Sequence, residues 1–432
     1  MHYPKLSCRI FLADAFGSEK TEMQLPRLLY IGDVPVESSY HGSALIYRLL
    51  QGFPMDRLMI VEGSIYPSLP DRRLPGITYK TLQIGYNRLL NSRLHHWYSL
   101  WLSLRATVRA EAALPLIGGF KPDAVLTVAH GYSWVTAAEF ARRHRLPLHL
   151  IVHDDWPRVR SLPQAFADRV DRQFRHVYRT SASRLCVSPF MAEEYLRRYG
   201  VSGQVLYPSR AQDAQIFSDP PDRLRENRGE LVVAFAGTIN TPDYCRLMRT
   251  LADCLEAQNG RLMIFGPTTA DQAAAAGLAR PNIQLCGLLT SGQLLERLRA
   301  EVDVLFVPMS FAAADRANME ISFPSKLTDY TAVGLPLLIY GPEYCSAVRW
   351  ASDNPGVAEV VDAEDIAGLA TAVERLAKKP EHRARLAMQA LTIGDRYFSH
   401  SAAQESFYAA LNRLALAESV GVRRPNETSM AS

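Results

Sequence analysis

The chain has 432 residues, 48% of them hydrophobic and 21% charged, a composition of globular proteins with two to three domains. Its net charge of +4, with the basic residues not gathered into one run, speaks against a general nucleic-acid binder. Six scattered cysteines without a CxxC pair exclude a disulfide framework, and no stretch reaches the roughly 18–20 uninterrupted apolar residues of a membrane span.

Residues 1–26 have weak periodicity and read as an irregular extension, without the continuous apolar core of a secretory signal. Apolar runs then appear at 28–32, 58–61, 124–129, 148–152, 185–187 and 205–207, separated by helical stretches such as 43–51, 135–144 and 189–199. Strands alternating with helices predict a parallel sheet covered on both faces, here over 27–210. Within it, Leu90, Leu94, Trp97, Trp101, Leu104 and Val108 recur at spacings of four and three among Arg88, Arg93, Arg105 and Arg109. That pattern predicts an amphipathic helix over 85–112. Its apolar side either packs on its own domain or touches anionic lipid at a membrane surface.

Polar residues 211–230, with Pro220-Pro221, read as a linker. A second alternating series occupies 231–395, with strands at 231–236, 262–265, 283–286, 302–307, 335–340 and 357–361. A last helix over 396–419 carries Phe407, Leu411 and Leu414 at helical spacing, and 420–432 reads as a disordered tail. Two doubly wound α/β domains facing each other are the expected architecture.

Ligands of such sheets bind beyond the carboxyl ends of the strands. The relevant second-domain loops begin at Gly237-Thr238, Gly266, Gly287 and Pro308, and Gly237 and Gly266 permit close backbone approach to a ligand. The most informative stretch is Phe323-Pro324-Ser325-Lys326-Leu327-Thr328-Asp329-Tyr330, running to Gly334-Leu335-Pro336. It reads as a short helix opened by Pro324 and Ser325, its positive end reinforced by Lys326, with Asp329 three residues on along the same face. A diphosphate on Lys326 and the helix end, and ribose hydroxyls on Asp329, would suit a sugar nucleotide. In the first domain, Asp33 and the loop to His41-Gly42-Ser43 follow the first strand, and His153-Asp154 directly follow the run 148–152. These are candidates for the acceptor side. The bland readings are a surface i,i+3 ion pair, a helix cap at Ser43 and a satisfied polar pair at a strand end.

The eleven histidines are dispersed, and the adjacent His95 and His96 point about 100° apart on a helix, so no metal site is expected. No GxSxG, P-loop or GxGxxG follows a strand, which counts against hydrolase, kinase and simple dehydrogenase chemistry.

These motifs resemble the GT-B glycosyltransferases, in particular the broad retaining bacterial group that is family 4-like. The resemblance is densest over 231–395. It rests on Phe235-Ala236-Gly237-Thr238, on Ala300-Glu301-Val302-Asp303-Val304 before Pro308, and above all on the Phe323–Pro336 stretch. Two departures stand out: Asp329 occupies the place of a longer Glu, and Ile321 stands where an earlier acid is usual, with Glu320 one residue off.

The resemblance implies a GT-B fold, α/β, with two Rossmann-like domains and a C-terminal helix crossing back to the first. It implies a nucleotide-sugar transferase acting with retention in cell-surface polysaccharide or glycoconjugate synthesis. Gly237, Thr238, Gly266, Pro308, Ser325, Lys326 and Asp329 would hold the donor; Asp33, Gly42 and Ser43 the acceptor; His41, His153 and Asp154 would serve the chemistry. No cofactor or metal is expected. The partners would be the donor and a carbohydrate or lipid-linked acceptor, and the location cytoplasmic, with peripheral membrane contact through 85–112. The alternatives are a non-catalytic sugar-nucleotide-binding protein and a GT-B epimerase.

Overall fold

A computed structural model describes residues 25–38, 42–156, 164–226, 229–239 and 241–419. The expectations for His41, for most of the 1–26 extension and for the 420–432 tail lie outside those residues. The chain forms two sheets in which every paired strand is parallel.

The first sheet has seven strands in the order β3-β2-β1-β4-β5-β6-β7. They are β1 Leu28–Gly32, β2 Leu58–Gly63, β3 Thr78–Leu82, β4 Ala124–Val128, β5 Leu148–Val152, β6 Ser183–Cys186 and β7 Gln204–Val205. The second has six, ordered β10-β9-β8-β11-β12-β13. These are β8 Val232–Ala236, β9 Arg261–Phe265, β10 Ile283–Gly287, β11 Val304–Pro308, β12 Leu337–Tyr340 and β13 Ala358–Val361. In both sheets the order reverses beside the first strand, which opens a crevice at the carboxyl ends of β1 and β4 and of β8 and β11. The central strands are buried on both faces, β1, β4, β5 and β11 along their full length, so they appear in the sequence as continuous apolar runs.

Two expectations need correction. The strand β3 was not visible as an apolar run because it is a sheet edge that exposes Thr78, Lys80 and Thr81 and buries only Leu82. The single amphipathic helix over 85–112 is instead three pieces, Asn87–Leu90, His95–Leu104 and Ala106–Ile117. The last two are separated at Arg105, whose ψ of 15° departs from helical geometry. The face packed inward carries Ser99, Leu102, Ala106, Arg109, Ala110 and Ala113. The stripe of Leu94, Trp97, Trp101, Leu104 and Val108 faces outward.

The expected return of the C-terminal helix is present. After Pro380–Phe398, Ser399 takes an extended conformation, and His400–Ser419 places Ala403, Phe407, Ala410 and Leu411 in one core with Ile46, Leu49 and Leu50 of the helix Gly42–Leu50. The stretch 211–226 does not hang free: Leu224 is fully buried, and Arg223 pairs with Asp303 at 2.7 Å. The seam between the two halves carries a cap used twice. Ser188 Oγ accepts from Met191 N–H at the start of the helix Pro189–Tyr199 and donates to the Ile321 carbonyl at 2.7 Å.

Candidate functional site

On the second-half side, Lys326 opens the helix Lys326–Val333. Its Nζ sits 3.9 Å from the centroid of the Phe235 ring and 5.8 Å from that of Tyr244. Tyr330, one turn on, holds the strand end in place: its hydroxyl accepts from Ala236 N–H at 2.6 Å and donates to the Ala236 carbonyl at 3.1 Å. The next residue, Gly237, has φ +140°, a conformation open to glycine, and a side chain there would begin 3.6 Å from Lys326 Nζ. Gly266 is packed so closely on the Gly237 carbonyl that a Cβ would lie 2.3 Å from it, while its N–H donates to the Gly287 carbonyl at 3.0 Å. The ends of β8, β9 and β10 are therefore stacked backbone to backbone beside the ammonium, with the half-buried Thr238 next to Gly237. Packing on these rings removes water from Lys326, and burial pushes its ammonium down to about 7. Among the described residues no carboxylate pairs with it.

Three donor-side expectations change in detail. Ser325 does not cap the helix. Its φ of −55° and ψ of −25° are already helical, its side chain makes no cap bond, and it is exposed. The first turn instead closes tightly, with Leu327 N–H donating to Pro324 O at 3.0 Å and Thr328 N–H to Ser325 O at 3.1 Å. These bonds occupy N–H groups that a looser start would leave open. Asp329 does not work as a pair with Lys326. It takes a bidentate bond from Arg48 of the first half, at 2.9 and 3.3 Å. Pro308 is the buried end of β11, in register with Tyr340. The loop after it is held by Asp243, which accepts from Ser310 Oγ at 2.9 Å and Phe311 N–H at 2.8 Å. Arg246 is occupied by Asp243 and Glu364, and Glu320 by Arg316, so none of these charges competes for the place beside Lys326.

On the first-half side, Gly42 and His153 do meet. A Cβ on Gly42 would lie 2.8 Å from His153 Cε1, so the helix start and the ring can approach only because the residue is glycine. His153 Nδ1 is buried on that side, with no hydrogen-bond partner among the described residues. Its Nε2 lies 3.4 Å from both His130 Nδ1 and an oxygen of Asp154. His130 packs against Trp156 at a tilt of 44°, ring centroids 4.6 Å apart. Sequence reasoning passed over His130 because nothing local marks it. Its position after β4, the strand adjacent to β5, was the available signal. His130, His153 and Asp154 have ligand atoms within 4.8 Å of one another, a spacing that could accommodate a metal ion.

Asp33 is a correction. Its carboxylate is 8% exposed and is spent inside the protein. It accepts from Ser133 N–H at 2.8 Å, from Ser133 Oγ at 2.6 Å and from Tyr132 N–H, anchoring the start of the helix Ser133–His144 onto β1. Side chains at Gly63 or Gly131 would strike it. Burial pushes its carboxyl up, against those hydrogen bonds. Both oxygens already accept hydrogen bonds from the Tyr132–Ser133 turn, so in this structure the carboxylate is a fastening. Ser43 lies inside the first helical turn and is buried, so it does not precede the helix as a cap. Asp155, beside the candidate pair, is likewise internal, bound by Arg198 at 2.9 and 2.8 Å.

Each group lies beyond the carboxyl ends of the strands of its own sheet, Lys326 beside Gly237 after β8 and His153 after β5. Compared with known proteins, residues 65–208 match the model of Glycosyltransferase Family 4. No curated protein sequence matches the chain. Among solved structures, HepE from Anabaena, crystallised with UDP and glucose, superposes with a TM-score of 0.62 at 13% identity, over 92% of this chain and 100% of that one. Sucrose-phosphate synthase from Thermosynechococcus elongatus gives 0.63 at 14% identity over 90% and 99%. The α,α-trehalose-6-phosphate synthase of Burkholderia multivorans gives 0.63 at 13% over 94% and 100%. The chain has the GT-B fold of these proteins, two Rossmann-like α/β domains, and the stretch similar to the family 4 model lies within the first of them.

Proposed function

We propose that this chain is a glycosyltransferase that moves a sugar from a nucleoside-diphosphate donor to an acceptor hydroxyl, with retention at the anomeric carbon, in polysaccharide or glycoconjugate synthesis. One observation carries the reading: an ammonium held at the carboxyl ends of β8 and β9, against Gly237, with no carboxylate paired to it among the described residues. An anion is the ligand that restores its charge. The crystal structures of HepE in complex with UDP and with UDP-glucose add support for a nucleotide-sugar donor.

In this reading Lys326 stabilises the diphosphate as negative charge develops on its leaving oxygen, where a fixed and partly dehydrated cation is worth most. The backbone at Gly237 and Gly266 admits the phosphates closely. With retention, the departing phosphate oxygen takes the acceptor proton on the same face, and no protein nucleophile is needed. His153, held against Gly42, hydrogen-bonds the sugar or acceptor through Nδ1, and Asp154 and His130 fix its ring. Lys326 supplies the positive charge, so the reaction needs no metal. Closure of the two halves aligns the hydroxyl and keeps water out. Among the described residues no helix is long and apolar enough to cross a membrane. The reading includes a cytoplasmic protein, with peripheral contact through 85–112 for a carbohydrate or lipid-linked acceptor.

A non-catalytic sugar-nucleotide-binding protein is the second reading, favoured by the engagement of Asp329 with Arg48. Thermal melts with UDP, ADP, GDP and dTDP test both, since a ligand at 100 times its Kd adds about 2.7 kcal/mol. No shift with any diphosphate would end the donor reading. A shift without transfer or hydrolysis of the matching sugar nucleotide would favour the second, and a new sugar nucleotide formed from donor alone would mark an epimerase.

A further inference from the structure

The outward stripe of the broken helical segment groups several of the exposed large apolar side chains described in the first half. Leu94 is 61% exposed, Trp97 67%, Trp101 45% and Leu104 57%, on a segment whose other face is already packed into the core. Large apolar side chains grouped this way on a surface mark an interaction site. The charge around them selects the partner. From Arg72 to Lys121 the sequence has eight basic residues and one acid, Glu111, a net of +7 within a chain whose total is +4. Arg88, Arg93 and Arg105 are exposed there and have no carboxylate partner among the described residues. Arg105 lies over the Trp101 ring at 4.8 Å, and Trp101 stacks on Tyr98 at 5.5 Å, so cation and aromatic surface are presented together.

We propose that this face docks on an anionic lipid bilayer surface, with Trp97, Trp101, Leu94 and Leu104 in the headgroup boundary and Arg88, Arg93 and Arg105 on lipid phosphates. Tryptophan beside arginine suits that boundary, where one end of the side chain is apolar and the other wet. An acidic protein partner would satisfy the arginines but not an open apolar stripe. A second copy would bring two such basic segments together.

The face is also continuous with the site. Trp97 meets Phe166 edge-on at 5.6 Å, and Phe166 lines a narrow slot with Leu100, Trp134 and Trp156, which reaches Gly131 and Tyr132. Trp156 is the ring against which His130 packs. The slot encloses only about 30 Å³, roughly one water molecule, too little for an acyl chain, so the docking face alone carries the inference. Where the transferase reading of the cleft holds, this placement favours an acceptor carried on lipid in the same membrane.

The test is sedimentation of the full chain, without nucleotide, with vesicles of phosphatidylcholine alone or with about one third phosphatidylglycerol. The protein is expected to pellet with the anionic vesicles in 0.1 M salt and to be released toward 0.5 M, since surface attraction is screened within about 10 Å at the lower salt. Arg88→Gln with Arg93→Gln should lower partitioning roughly 25-fold, at about a fivefold loss per basic residue. Trp97→Ser with Trp101→Ser, which keeps the charge, should also lower partitioning at least tenfold in 0.1 M salt. Both pairs of substitutions lie on the surface, and unchanged melting curves would exclude misfolding. No binding to anionic vesicles in 0.1 M salt would overturn the proposal. So would a stable dimer in sedimentation velocity that the tryptophan variant converts to monomer. Because nucleotide is absent, failure here leaves the donor site standing, and failure of donor binding leaves this surface standing.

Discussion

Lys326 should take up a proton when a nucleoside diphosphate binds, and the size of that uptake follows from its surroundings. Packing on Phe235 holds the free ammonium at about 7, so at pH 8 only about a tenth of the molecules carry the charge. A bound diphosphate favours the charged form and moves the group back toward the ordinary lysine range, about 10.4. Binding at pH 8 should therefore absorb about 0.9 proton. The sign follows: affinity is greatest where Lys326 is already charged and falls as pH rises above about 7. Between pH 7.5 and 9 the free charged fraction drops from about a quarter to about one hundredth, so Kd should rise about 20-fold. The phosphate's own last proton, with pKa about 6, is gone before that window opens. Calorimetric titration of the tightest-binding diphosphate at pH 8, in Tris and in HEPES, reads the uptake from the dependence of heat on buffer ionisation. Lys326→Met should remove the uptake and the pH dependence together. Binding without proton uptake, or wild-type affinity in Lys326→Met at pH 7.5, would refute the reasoning.

Three further outcomes are expected. Gly42→Ala puts a methyl 2.8 Å from His153 Cε1, so the ring must turn; kcat for transfer should fall at least tenfold while diphosphate affinity stays within twofold. Asp33→Ala strips the acceptor from two backbone N–H groups and the Ser133 hydroxyl and should cost about 2–4 kcal/mol in urea unfolding, with donor affinity unchanged in the folded protein. The Arg48–Asp329 pair is too exposed to be worth more than about 1 kcal/mol, so it works as a light latch. If Asp329 also receives the ribose, Asp329→Asn should weaken donor binding about tenfold, whereas Arg48→Ala should not weaken it. Equal losses in the two variants would restrict the carboxylate to the latch.

What the sequence disclosed and what it hid divide along physical lines. Strands buried on both faces, such as Leu28–Gly32 and Leu148–Val152, appear as uninterrupted apolar runs, and their alternation with helices led to two parallel sheets. The edge strand Thr78–Leu82 has one face in water and no such run. The glycines beside Lys326 were legible because a backbone approach leaves a mark in the residue type. The fate of a carboxylate leaves none. Asp33 and Asp329 looked available from their positions after a strand and on a helix. Only the fold shows that one is consumed by a neighbouring helix start and the other by an arginine 281 residues away in sequence. His130 was missed for the same reason, since its meeting with His153 depends on the order of strands in the sheet. The amphipathic segment was recognised, but spacing alone could not say which face would be covered.

The polypeptide passes between the two halves twice, after β7 and again at Ser399, and the passages touch: Arg210 N–H donates to the Phe398 carbonyl at 2.8 Å. Two threads stitched side by side tie the halves along one edge, and Arg48 adds a third tie there by reaching both Asp329 and the Ser209 carbonyl, the latter at 3.1 Å. Away from that edge, Phe190 and Met191 share one buried core with Ile321 and Phe323. Any parting of the halves must therefore expose apolar surface at that seam, which sets a cost on opening that the exposed ion pair alone does not.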